Sequence, residues 1–177
     1  MSIILRDEVP LQAVYDAAQA AGGTLTHDLP RAHWSARVLR WSLPDGGELV
    51  YSEQHVLGVR GVSDDLPNLP SWDAPALLAR LASPERQVRH HALRGLAFLR
   101  RGQWDEAIWP LVLADVLNGD PRVHQPTLNA LAVASWAPVE GLLRRHLADA
   151  PWLMRTLERF YGEGGGGVGA APKPEPA

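Results

Sequence analysis

The sequence predicts a mainly α protein in two parts: an α+β N-terminal module (helix plus antiparallel meander), then an all-α array of about three antiparallel helix pairs. Three observations carry this prediction. Short runs before residue 65 alternate apolar and polar residues, as half-buried strands do. After residue 72 that alternation gives way to helical periodicity, interrupted by Pro and Gly. One helical segment is also written twice. The 177 residues, 46% of them hydrophobic, suffice for one ordinary domain or two small ones.

In the module, residues 1–65, SIILR is a short apolar run that reads as a strand. VPLQAVYDAAQAAGG is an Ala-rich helix with Pro10 suited to its first turn and Gly22 and Gly23 as its stop. ARVLRWSL places Leu39, Trp41 and Leu43 on one face, PDGG supplies a tight turn, and ELVYS returns with Leu49 and Tyr51 alternating. HVLGVRGV completes a three-stranded meander, and Gly58 and Gly61 mark a bulge or a close backbone approach. His27 and Asp28, just before Pro30, read as loop. Residues 66–72 lie in the Pro- and Asp-rich stretch SDDLPNLPSW and read as a linker.

Beyond it the spacing predicts helices over 73–82, 85–101, 104–118, 121–135, 138–148 and 151–161. Such helices joined by short turns lie antiparallel to their neighbours. The final segment, 163–177, is rich in Gly and Pro and reads as a disordered tail. SPERQVRHHALRGLAFL, from Ser83, is echoed by GDPRVHQPTLNALAVAS, from Gly119. Val88 matches Val123, Leu93 matches Leu128, Leu96 matches Leu131 and Ala97 matches Ala132, all at one offset. Pro84, Val88-Arg89, Ala92, Leu93 and Leu96 resemble the second helix of a HEAT repeat. The second copy keeps Asp120-Pro121 and Val123 and has His124 where that family prefers Arg. The resemblance covers residues 73–162 and implies a short HEAT-like solenoid of stacked helix pairs, which the α+β module would cap at one end. Small bacterial proteins that join such a module to a few HEAT-like helices look similar.

The formal net charge is −3, which argues against a strongly basic nucleic-acid binder. Residues 1–72 carry five Arg against nine acids, and residues 73–162 carry eleven Arg against nine, so the second half is mildly basic. The absence of Cys excludes disulfides, thiolate catalysis and Cys-ligated zinc. The opening MSIILRDEVP has no signal-peptide core, so a cytoplasmic chain is expected.

The sequence offers no reactive constellation. No GxSxG or P-loop occurs, and GEGGGG lies in the tail with no strand before it. His90 and His91 are adjacent and point about 100° apart on a helix, so they do not converge on one ion. No metal and no cofactor is expected. Asp105, Glu106 and Asp115 near Trp104 and Trp109 are the nearest approach to a glycosylase-like acid, and they read equally well as capping acids. The seven Trp read mainly as core.

The expected function is therefore that of a non-catalytic HEAT-like binding or scaffold protein with a protein partner. The alternative is a nucleic-acid-binding HEAT-like protein, in the extreme DNA glycosylase-like, using a basic helix face. That face is placed on Arg86, Arg89, His90 and Arg94, with Arg122 and His124 from the second copy. The same residues read otherwise as a solvated helix side.

Overall fold

The computed structural model describes residues 3–30, 36–55, 57–62, 66, 69–118 and 120–147. Its elements run β1 (Ile3–Leu5), α1 (Leu11–Ala20), β2 (Thr24–Leu29), β3 (Ala36–Ser42), β4 (Glu48–Gln54), β5 (Val59–Val62) and β6 (Ser71–Trp72). The helices α2 (Ala74–Leu81), α3 (Arg86–Leu99), α4 (Trp109–Val116), α5 (Pro121–Ala134) and α6 (Ala137–Leu147) follow. The expected helix 151–161 and the tail lie outside the described residues.

The six strands form one antiparallel sheet in the order β2-β3-β4-β5-β1-β6. The expected β3–β4 hairpin pairs Leu39 with Tyr51 and Trp41 with Leu49. Its turn closes when Leu43 N–H donates to Gly47 O, and Gly46 takes φ +84°, the left-handed region that favours glycine. Leu43, expected on the strand face, lies in that turn. Two strands depart from the sequence expectation. Thr24–Leu29, with the His27-Asp28 pair read as loop, is edge strand β2, and Ser71–Trp72, inside the expected linker, is β6 beside β1.

Pleating divides the core. Leu5, Val62, Tyr51, Leu39, Trp41 and Leu49 point to one side, where Val14 and Ala18 of α1 cover them. Tyr15 meets the Trp41 ring edge-on at 5.5 Å. Ile4 and Val59 point to the opposite side and join Leu77, Leu81, Leu93 and Leu96 in a core that extends through α4, α5 and α6. The successive residues Ile4 and Leu5 thus serve different helical layers, as a period of two requires.

The seat of α3 on the sheet depends on two glycines. A Cβ at Gly61 would stand 2.4 Å from Phe98 Cε1, and one at Gly95 would stand 2.8 Å from Leu77 Cδ1 and 3.5 Å from Ile4. The close approach expected at Gly61 is therefore made by α3. Among the helices, α3 packs on both α2 and α5, and α4 packs on α5.

The helix starts follow their caps. Asp73 Oδ1 accepts from Ala76 N–H at 2.8 Å to open α2, and Asp120 Oδ1 accepts from Arg122 N–H at 2.9 Å to open α5. α4 is shorter than expected, because Asp105 caps a 3₁₀ turn over Glu106–Ile108 before Trp109 begins the helix. α5 ends when Ser135 enters the left-handed region at φ 52°, and α6, expected from residue 138, begins at Ala137 with Pro138 in its first turn. The ends of α3 and α5 are clasped together: Gly102 N–H donates to Ala134 O at 2.8 Å, and Trp136 Nε1 donates to Arg100 O at 2.6 Å.

Gly61→Val is expected to destabilise the protein by about 1–3 kcal/mol, because the new side chain must displace Phe98 from a filled core. Urea denaturation followed by Trp fluorescence checks this, and a second substitution, Phe98→Leu, is expected to restore part of the loss.

Candidate functional site

The basic row of α3 does not share one fate. Arg89 is spent inside the fold. It donates Nε and Nη2 to Asp115 of α4 at 3.1 and 2.7 Å, and Nη1 to the carbonyls of Ser83 and Pro84 at 3.1 and 2.8 Å. Asp115 is 6% exposed, and this two-point contact neutralises it while tying α3 to α4. His90 lies beside the pair, with Nε2 3.8 Å from Asp115 and 3.5 Å from Thr127 Oγ1 of α5.

His124 is 4% exposed, and its Nδ1 lies 3.0 Å from Asn118 O, so it is an interior residue of the first turn of α5, set against the segment that precedes the helix. Arg86 and Arg122 are exposed. Of the six residues assigned to the basic face, these two alone project freely, and Arg94 follows a third course.

Arg94 is half-buried on the sheet side of α3. Its Nε donates to His90 O at 3.2 Å. Its Nη1 lies close against Gly58, where a Cβ would stand 3.0 Å away and where φ is +61°. Burial pushes its pKa down, with Asp7 opposing that shift. Among the described residues it forms no ion pair within 4.0 Å.

Arg94 lines a cavity of about 490 Å³ bounded by the β1–α1 loop (Asp7 and Glu8), by Trp72 and Arg80, and by Val88 and His91 of α3. Pro126 of α5 closes the far side. Arg94 and Pro126 also line an adjoining cavity of about 320 Å³ that runs on to Leu57, Arg122, Gln125 and Asn129. Together they form one groove across α3 and α5.

Its walls are held from below. Arg60 of β5 donates to Val9 O, Arg6 O and Asp7 O at 2.6, 2.8 and 2.9 Å, which fixes the loop bearing Asp7 and Glu8. Two guanidinium groups lie over the Trp72 ring, Arg6 at 4.1 Å and Arg80 at 4.3 Å from the ring centre. His91 carries a buried Nε2 without a hydrogen-bond partner, and its Nδ1 lies 3.8 Å from Asp7. Burial lowers the pKa of His91 against the pull of Asp7, and Arg94 and Arg80 lower it further. Burial also lowers that of His90, against Asp115.

The sequence reading passed over Asp7, Glu8, Trp72, Arg80, His91 and Pro126 as site residues. These come from five different segments, and no spacing along the chain links them. The Pro126 ring, inside the helical copy that matches α3, is the one local signal that this helix face differs from its twin.

The acids near the Trp pair divide as well. Asp105 accepts from Ala107 N–H and pairs with Arg100, and these two contacts hold its pKa below the usual carboxylate value. Glu106 lines a separate cleft of about 310 Å³ with Trp104 and Trp109. Among the described residues no group of three His, Asp or Glu is placed to hold a metal ion, and no helix is long and apolar enough to cross a membrane.

Trp41 and Trp136 are core residues, whereas Trp72, Trp104 and Trp109 are partly buried against the core. Trp34 and Trp152 lie outside the described residues, as do Arg155, Arg159 and His33. No protein-family model, curated protein or solved structure matches the chain.

Asp115→Ala leaves Arg89 buried without its counter-ion and is expected to cost about 2–4 kcal/mol. A double-mutant cycle with Arg89→Met, read by chemical denaturation, is expected to return part of that loss. Because His90 and His91 protonate less readily in the folded chain, the unfolded state takes up protons first as pH falls. Stability is therefore expected to decline below about pH 6.5 and to level off once the lowered folded pKa values are passed. Thermal melts of the chain and of His90→Gln/His91→Gln across that range test this, the double variant giving the flatter profile.

Proposed function

We propose that the protein is a non-catalytic binding module of HEAT-like construction that engages another protein through the groove across α3 and α5. The observation that carries this reading is the half-buried Arg94 in an open groove, a cation without an ionic partner among the described residues. An interior charge is ordinarily paired, as Arg89 is here. A groove whose half-buried Arg94 has no ion pair among the described residues is suited to receive an acidic group from outside.

The pairing of α2 with α3 and α4 with α5, with α3 against α5, agrees with the HEAT-like arrangement that the repeat implies. A cytoplasmic setting and the absence of a cofactor belong to the same reading. Nucleic-acid binding has weaker support. Arg89 is neutralised, His124 is interior, and the groove rim carries Asp7 and Glu8, which repel a phosphate backbone.

A random-peptide display library panned against the full chain is expected to return a consensus peptide. Its binding is expected to fall by about tenfold, roughly 1.4 kcal/mol, in Val88→Glu, which sets a carboxylate inside the groove. A labelled DNA duplex at low salt is expected to stay free. Saturable duplex binding with a steep salt dependence would replace the protein reading with the nucleic-acid one.

A further inference from the structure

The groove floor has a chemistry more specific than general adhesion, and the inference drawn here rests on the groove reading above. Arg94 and Arg80 line it without a carboxylate in ion-pair contact among the described residues. Among the described residues Arg94 donates from Nε alone, toward His90 O. Arg80 makes no ion pair among the described residues, has a buried Nε without a hydrogen-bond partner, and lies over Trp72. His91 stands where the charges of both guanidinium groups bear on it, so the three side chains belong to one neighbourhood.

We infer that Arg80, His91 and Arg94 form a carboxylate subsite that holds the side chain of a glutamate or aspartate in the partner's segment, with Trp72 as the apolar wall beside it.

Three features select this class of ligand. Arg guanidinium groups match a planar carboxylate with paired N–H donors, and half-burial strengthens such contacts relative to water. The acids Asp7 and Glu8 stand at the mouth, with the Asp7 side chain 81% exposed, so they disfavour a dianionic phosphate or a polyanion and favour a singly charged group flanked by neutral or basic residues. Pro126 and Val88 supply apolar contact in the groove for the residues beside the acid. The same acids place a complementary role on the partner: a basic residue next to the bound carboxylate reaches Asp7 and Glu8 at the rim.

The experiment uses the consensus peptide from the display, labelled and titrated by anisotropy against the full chain. An acidic residue is expected in the consensus, and its replacement by the amide (Glu→Gln) is expected to weaken binding about tenfold or more. Arg94→Gln is expected to cause the same loss and to abolish the difference between the two peptides, whereas Arg94→Lys keeps part of it. Phosphoserine in place of the acid is expected to bind no better than glutamate. Should Arg94→Gln fail to fold, the unaltered chain still decides. The His91 ring, on which Asp7 from the β1–α1 loop, Arg80 from α2 and Arg94 from α3 bear, is followed by NMR across pH. Binding of the acidic peptide is expected to raise its pKa, and binding of the amide peptide is not.

A consensus that binds in the groove but lacks an acid overturns the carboxylate subsite alone, as does an acid uncoupled to Arg94 and His91 or a phosphoserine peptide that binds more tightly. A display that returns no peptide, or one indifferent to Val88→Glu, removes the groove reading beneath it.

Discussion

The close seat of α3 on the sheet is the constraint on which the rest of the structure depends. No side chain stands at Gly61 or Gly95, so Phe98 rests on the β5 backbone while Leu77 and Ile4 close over the helix. From that position α3 faces α2, α5, the sheet and solvent at once. Its buried face, Ala92, Leu93, Leu96 and Ala97, belongs to the core that joins strands to helices. The same seat lowers Arg94 against Gly58 and turns Arg89 toward α4. A helix held one side-chain layer farther out would reach neither.

Arg89 and Arg94 show how one sequence pattern yields two kinds of group. Both are arginines on the same helix, within two turns of each other. Arg89 meets a buried carboxylate and two carbonyls, so its charge is consumed in joining α3 to α4. Arg94 meets a backbone carbonyl and a glycine, and Asp7 acts on it only from beyond ion-pair distance, so its burial is not offset by a direct ion pair within the described fold. Burial costs a charged group solvation in either case. The difference lies in whether the fold itself returns that loss, and this separates a structural tie from the group proposed for recognition.

Much of the fold was legible in the sequence where hydrophobic period and punctuation agree. The β3–β4 hairpin, α1 and the starts of α2 and α5 fall where alternation, Gly-Gly and Asp-Pro or Asp-Ala-Pro place them. β2 was not legible, because Thr24 to Asp28 are all exposed and no face is written as apolar; the strand exists through its pairing with β3. β6 is too short for any period to register. The site was legible only in part. Helical spacing set Arg86, Arg89, His90 and Arg94 in a row, but which of them meets an acid depends on Asp115, and that is tertiary information. The groove itself joins the β1–α1 loop to Trp72 and Pro126, residues far apart in the chain: β1 beside β6 sets the loop near Trp72, and the packing of α3 on α5 brings up Pro126.

The clasp between the ends of α3 and α5 has a further consequence. Gly102 and Trp136 fasten the C-terminal ends of the two helices, while Arg89 and Asp115 brace the N-terminal part of α3 against α4, which packs on α5. The groove proposed for binding lies between these braces, held by contacts that the fold itself supplies. Under the proposed reading, walls already braced by folding lose little further freedom on association, and the larger entropy loss falls on the incoming segment. Affinity at such a surface is set by how stiff that segment is, and one already extended by neighbouring prolines or anchored in a folded domain gains the most.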